Sequence, residues 1–144
     1  RDRVAELRSH PLARALRVGK GTLAALQATL LHYVHGEAER EIPVWRMISL
    51  PLDSIRARAE RWADEVPGEV VRAESTVGGG SLPGETLPTW AFAPRVEQPN
   101  DAAAHLRRCE PPVIARVAEG RLLLDPRTVL PEQDAALLAA LKEL

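Results

Sequence analysis

Cysteine is almost missing from these 144 residues: Cys109 stands alone, and no internal disulfide can form. Such usage fits a reducing compartment, and Cys109 reads as an ordinary thiol. Aromatic residues make up 3% of the chain, too few to build the stacking surfaces that single-strand nucleic-acid binders use. Neither sign of charge is in excess, with 19 basic and 20 acidic residues and a net charge of -1. No global field therefore draws the chain to nucleic acid or to an anionic membrane, and any anion or RNA contact must be local. No apolar run approaches the length of a membrane span, and the start lacks the layout of a signal peptide. The chain is expected to be soluble and cytoplasmic. It opens on Arg1 with Val4 and Leu7 already at helical spacing, which reads as a cut end inside a helix.

What is present is one domain's worth of apolar residues, 45%, with two kinds of periodicity. Residues 1 to 8 read as the end of a helix, Ser9-His10-Pro11 as a break, and Leu12 to Val18 as a short basic segment. Thr22 is the expected cap of a helix striped by Leu23, Leu26, Leu30 and Val34, a face that should pack on a core, and Gly36 ends it. Ile42 to Leu50 runs into Pro51. A second helix follows, near 53–66, with Ile55, Ala59, Trp62 and Val66 as its buried face. At Gly68 the period changes to two, placing Val71, Ala73, Ser75 and Val77 on one side of a strand.

Strands are expected near 70–77, 89–93, 113–117 and 121–125. The last two should form a hairpin through Ala118-Glu119-Gly120. Asn100 is the expected cap of a helix through Arg107. A final helix near 131–142 opens on Pro131, Glu132 and Asp134 and turns Leu137, Leu141 and Leu144 inward. The sum is an α+β domain, an antiparallel sheet with helices on one face. The division expected is 1–40 as connecting helices and 41–144 as the α+β domain.

Four segments, in order, carry a family likeness. They are His10 to Val18 (HPLARALRV), Thr22 to Leu26 (TLAAL), Val77 to Pro88 (VGGGSLPGETLP) and Pro112 to Val129 (PVIARVAEGRLLLDPRTV). Together they resemble the C-terminal portion of selenocysteine synthase, the L-seryl-tRNA(Sec) selenium transferase family. The resemblance implies the small C-terminal domain of the aspartate-aminotransferase fold. It also implies a pyridoxal 5'-phosphate enzyme that converts seryl-tRNA(Sec) to selenocysteinyl-tRNA(Sec) with selenophosphate, as a homo-oligomer. The cofactor lysine of that family lies upstream of the HPL segment, so no catalytic residue is expected here, and Lys20 does not match its surroundings. The chain departs from the usual family residues at Gly19, Ala115 and Pro126. A related lyase acting on a phosphorylated sugar acid and a non-enzymatic anion-binding or assembly module are the alternatives, because shared fold does not fix substrate.

Arg14 and Arg17 are three apart, which on a helix sets two guanidinium forks on one face, a match for phosphate-like oxygens. By resemblance the pair belongs to the selenophosphate pocket; otherwise it is a solvated basic face. The run Gly78 to Gly84 lacks the phosphate-loop pattern. It is either a strand connection or a loop reaching the active-site mouth with Ser81 as a hydrogen-bond donor. Arg127 lies where many enzymes of the implied fold hold a substrate carboxylate. Its readings are contact with the aminoacyl ester or the tRNA end, or a structural pairing with Asp125, and Arg116 shares the ambiguity. The four histidines have no metal spacing beyond the His32/His35 pair, and no metal is expected. Trp45, Trp62 and Trp90 read as core or interface residues.

Overall fold

The computed structural model describes residues 2–78 and 84–144. They form two compact units, Arg1–Arg46 and Met47–Leu144. The first holds α1 (Asp2–Ser9), the single turn α2 (Leu12–Ala15), α3 (Lys20–Val34) and the short α4 (Ala38–Glu41). α3 starts at Lys20 with Gly19 in the capping position rather than at Thr22, and Gly36 with φ +69° ends it. The expected burial of its stripe is not found. Leu23 and Leu26 are 54% exposed and Val34 is 78% exposed, and no described residue of α1, α2 or α3 is buried. A stripe at helical spacing marks a face able to pack, but packing needs a second apolar surface, and none of the described residues covers this one.

α5 (Pro43–Ser49) spans the division between the units, and the second unit continues with α6 (Leu52–Glu65). Here the sequence reading holds, since Ile55, Ala59, Trp62 and Val66 are all buried. They recur every three to four residues, so all point the same way from the helix. α6 packs on β1 (Gly68–Thr76) and β2 (Thr86–Pro94), an antiparallel pair registered from Gly68↔Pro94 to Thr76↔Thr86. Trp62 meets Phe92 edge-on, with ring centroids 6.5 Å apart. Gly68 is required at the start of β1, because a Cβ there would lie 2.5 Å from the Ala93 carbonyl oxygen and 2.6 Å from the Phe92 ring. Trp90, half-buried on β2, is flanked by the guanidinium groups of Arg56 and Arg72 at 4.9 and 5.3 Å.

α7 (Pro99–Leu106) starts at Pro99, one residue before the expected Asn100 cap, since proline is pre-set for the first turn. β3 (Arg116–Ala118) and β4 (Arg121–Leu123) form the expected hairpin. Glu119 at φ +51° and Gly120 at φ +71° give the two left-handed residues such a turn needs. Two 3-10 turns, Pro126–Thr128 and Pro131–Gln133, lead into α8 (Asp134–Leu141). Leu137 and Leu141 face the core, whereas Leu144, beyond the end of α8, is exposed.

The fold is α+β, but the strands make two two-stranded sheets instead of one. A single bridge joins them: Phe92 and Leu124 exchange N–H···O bonds of 2.8 and 2.9 Å. The ladder stops there because Pro126 has no N–H and the chain enters a 3-10 turn. Residues 113–115 are also not a strand. Pro111 and Pro112 cannot donate, and the Val113 N–H is committed to the Leu106 carbonyl at the end of α7. No helix among the described residues is long and apolar enough to cross a membrane.

Candidate functional site

Of the expected anion-binding residues, Arg14 lies in α2 and Arg17 lies outside it. The turn ends at Ala15, with Leu16 at φ -90°, ψ 9°, so the shared helical face drawn from their spacing does not form. A main-chain bond from Arg17 N to Arg14 O, 3.4 Å, keeps the two in one tight turn, and both side chains are exposed. Ser81 lies outside the described residues. Lys20 is exposed in the first turn of α3, and Lys142 is exposed and donates to Glu65 at 2.7 Å. A cofactor lysine needs a desolvated amine, so neither fits pyridoxal 5'-phosphate. His32 and His35 both face the Glu37 carboxylate, at 3.2 and 3.9 Å, as a partly solvated cluster.

The second unit gathers its polar chemistry at Asp125 and Arg127. Ser75 and Thr89, at inward positions of β1 and β2, are both buried and both donate to the Asp125 carboxylate, Thr89 at 2.9 Å. The Arg127 N–H adds a third bond to it at 2.9 Å. Strand alternation explains the meeting: two buried polar residues on the core side of a hairpin need an acceptor, and the half-buried Asp125 supplies one.

Arg127 is itself 6% exposed, and its guanidinium does not pair with Asp125. Nη1 donates to the carbonyls of Met47 and Ile48 at 2.9 and 3.1 Å, and Nη2 donates to Pro88 O at 2.8 Å. Nε is buried without a partner among the described residues. The fork thus ties the carbonyl end of α5 to β2. Beside it, Ser75, Thr76, Arg116, Asp125 and Thr128 line a cavity of about 180 Å³. Arg116 is anchored through Nη1 to Glu74 O at 2.9 Å.

Arg58 is the site residue that sequence reasoning missed. Buried on α6, it grips both carboxylate oxygens of Asp134 through Nε at 3.0 and 2.9 Å, and donates to the carbonyls of Pro126 and Val129 at 2.9 and 2.6 Å. Its guanidinium also lies 5.3 Å from the Trp62 ring centroid. The signal was available: Arg58 sits between Ile55 and Trp62 on the buried stripe, where an unpaired charge is too costly to keep.

Comparison with known proteins extends the likeness to nearly the whole chain. The family model described as L-seryl-tRNA selenium transferase matches residues 1–130. The L-seryl-tRNA(Sec) selenium transferase of Moorella thermoacetica is 45% identical over 98% of this chain and 32% of its own length. That of Geobacter sulfurreducens is 40% identical over 96% of the chain and 32% of its own length. That of Salmonella arizonae is 44% identical over 86% and 30%. The chain thus spans about a third of the length of these curated relatives. With one match running through the arginine turn, the glycine loop and the Asp125 knot, the chain belongs to the L-seryl-tRNA selenium transferase family.

Proposed function

We propose that this chain is the C-terminal part of an L-seryl-tRNA(Sec) selenium transferase, which converts seryl-tRNA(Sec) to selenocysteinyl-tRNA(Sec) with selenophosphate in the cytoplasm. The observation that carries the reading is the extent of the match, residues 1–130, at 45% identity to a curated transferase. Pyridoxal 5'-phosphate belongs to the part of the protein outside this chain, because neither Lys20 nor Lys142 sits in a desolvated site. In this reading the chain by itself is inactive. Residues 1–40 lead out of a large domain of the aspartate-aminotransferase fold, and residues 41–144 are its small domain. The uncovered leucines of α3 then face that large domain within a homo-oligomer. The reported relatives all carry the transferase name, and no observation favours a lyase or a non-enzymatic module.

The roles of individual residues follow from their settings. Arg14 and Arg17 are exposed on one tight turn, so their forks are open to a phosphate-like donor, and their attraction grows where the large domain excludes water. Ser81, outside the described residues, keeps the role of hydrogen-bond donor to the substrate that the family resemblance implies. Arg127 acts at one remove. Its fork is occupied by main-chain carbonyls, which supports a positioning role for the segment it ties together rather than direct contact with the tRNA end.

A selenophosphate titration of the full-length protein tests this assignment. The Arg14→Ala/Arg17→Ala variant should need more donor for half-maximal rate while its cofactor absorbance stays unchanged. Donor dependence equal to wild type would make the pair an ordinary solvated face.

A further inference from the structure

The ends of α7 and α8 bring together three side chains to which the proposed function gives no role. His105 lies in the last turn of α7. Beyond it the chain folds back, Cys109 N bonding to Leu106 O at 3.3 Å and Cys109 Sγ lying 3.7 Å from His105 O. Glu143 follows α8, held by a bond from its N–H to Ala140 O of 3.3 Å. One ring nitrogen of His105, the Cys109 sulfur and a Glu143 carboxylate oxygen all lie within 4.8 Å of one another. Sequence spacing hid the group, because Glu143 is remote from the other two.

We propose that His105, Cys109 and Glu143 form a binding site for a zinc-type divalent cation. Zinc bond lengths and a tetrahedral angle place ligand atoms about 3.4–3.7 Å apart, so the three need to close by roughly 1 Å, within reach of side-chain rotation. His105 Nε2 is buried and bonds to nothing among the described residues. A buried ring nitrogen without a partner is unfavourable, and a cation held through that nitrogen would supply the partner. Sulfur, imidazole and carboxylate together suit zinc, whereas magnesium and calcium take all-oxygen sets. Both eight-residue helices also turn their negative ends toward this corner.

Two of the three ligands, His105 and Glu143, line a groove of about 650 Å³, whose wall also includes Arg95, Gln98, Asp101 and Arg108. It gives the ion a path in and room for a water as fourth ligand. Arg95 and Arg108 on the groove wall oppose the ion, but a thiolate and a carboxylate among its ligands neutralise a divalent charge, and Asp101 on the same wall offsets part of the arginine charge. The ion would clip the end of α7 to the end of α8.

The test is alkylation of Cys109 in the full-length protein, read on its own peptide by mass spectrometry with and without Zn²⁺. Zinc should slow the reaction at least tenfold, and Mg²⁺ at the same concentration should not. Each rate is taken as a ratio within one variant, so a change in local folding cancels. His105→Ala and Glu143→Gln should each weaken the protecting concentration of zinc by about 10–100-fold, no less than loss of an outer-shell partner does. A cobalt-thiolate charge-transfer band lost in Cys109→Ser is the matching optical signature. Absence of zinc protection, or protection that survives both substitutions, would overturn the site.

Discussion

Replacing Arg58 with methionine removes the charge while keeping a long side chain against Trp62, and its cost can be worked from the contacts. Arg58 is 6% exposed, so water cannot take over its partners freely. The carbonyls of Pro126 and Val129 lose their donor, at about 1 kcal/mol each for a buried acceptor left unsatisfied. Asp134 loses its bidentate partner, but its side chain is 23% exposed and recovers part of its hydration. We assign it about 1 kcal/mol, below the range for breaking a wholly buried pair. The loss is about 3 kcal/mol in all. For a domain of this size that lowers the thermal midpoint by roughly 10–25 °C, at 4–8 °C per kcal/mol. Urea unfolding monitored by tryptophan fluorescence measures the free energy, and amide exchange in α8 locates it, since Asp134 is the first residue of that helix. Asp134→Asn should cost less than Arg58→Met, because both carbonyl bonds remain. A loss under about 1 kcal/mol with α8 exchange unchanged would refute the claim that Arg58 fastens α6 to the start of α8.

Gly68→Ala should destabilise the second unit by about 2 kcal/mol, since the new methyl collides with the Ala93 carbonyl and the Phe92 ring; an unchanged urea midpoint would mean that the strand start has room to move. The 144-residue chain should stay colourless after incubation with pyridoxal 5'-phosphate and desalting, because Lys20 and Lys142 are both exposed. A stable absorbance that borohydride traps on Lys20 would contradict that placement.

The α6 stripe and the Gly68 change of period were legible in the sequence because both elements are amphipathic and both find their partners within this chain. The same logic applied to Leu23, Leu26, Leu30 and Val34 gave the right helix and the wrong burial, since a stripe reports a face able to pack and not the presence of its cover. The shared helical face expected of Arg14 and Arg17 is missing for a different reason. Spacing of three implies a shared face only if the helix continues, and Leu16 ends α2 before Arg17.

One four-segment sheet was expected because alternation cannot see hydrogen-bond partners. Pro111, Pro112 and Pro126 deprive the flanks of donors, and a single Phe92–Leu124 bridge remains. The polar knots were the least visible part. Ser75, Thr89 and Asp125 are unremarkable one by one, and only the β1–β2 register and the turn after β4 bring them together. Arg127 was singled out, but its partners are carbonyls of Met47, Ile48 and Pro88, and carbonyls leave no trace in the sequence.

The most direct test of the account is to incubate the purified full-length protein carrying this chain with seryl-tRNA(Sec), selenophosphate and pyridoxal 5'-phosphate, and to identify the amino acid esterified to the tRNA. The account predicts selenocysteinyl-tRNA(Sec), formed only with the donor present and not formed by the 144-residue chain alone. Recovery of unchanged seryl-tRNA(Sec) from a folded, cofactor-loaded protein that instead releases ammonia from a phosphorylated sugar acid would contradict it.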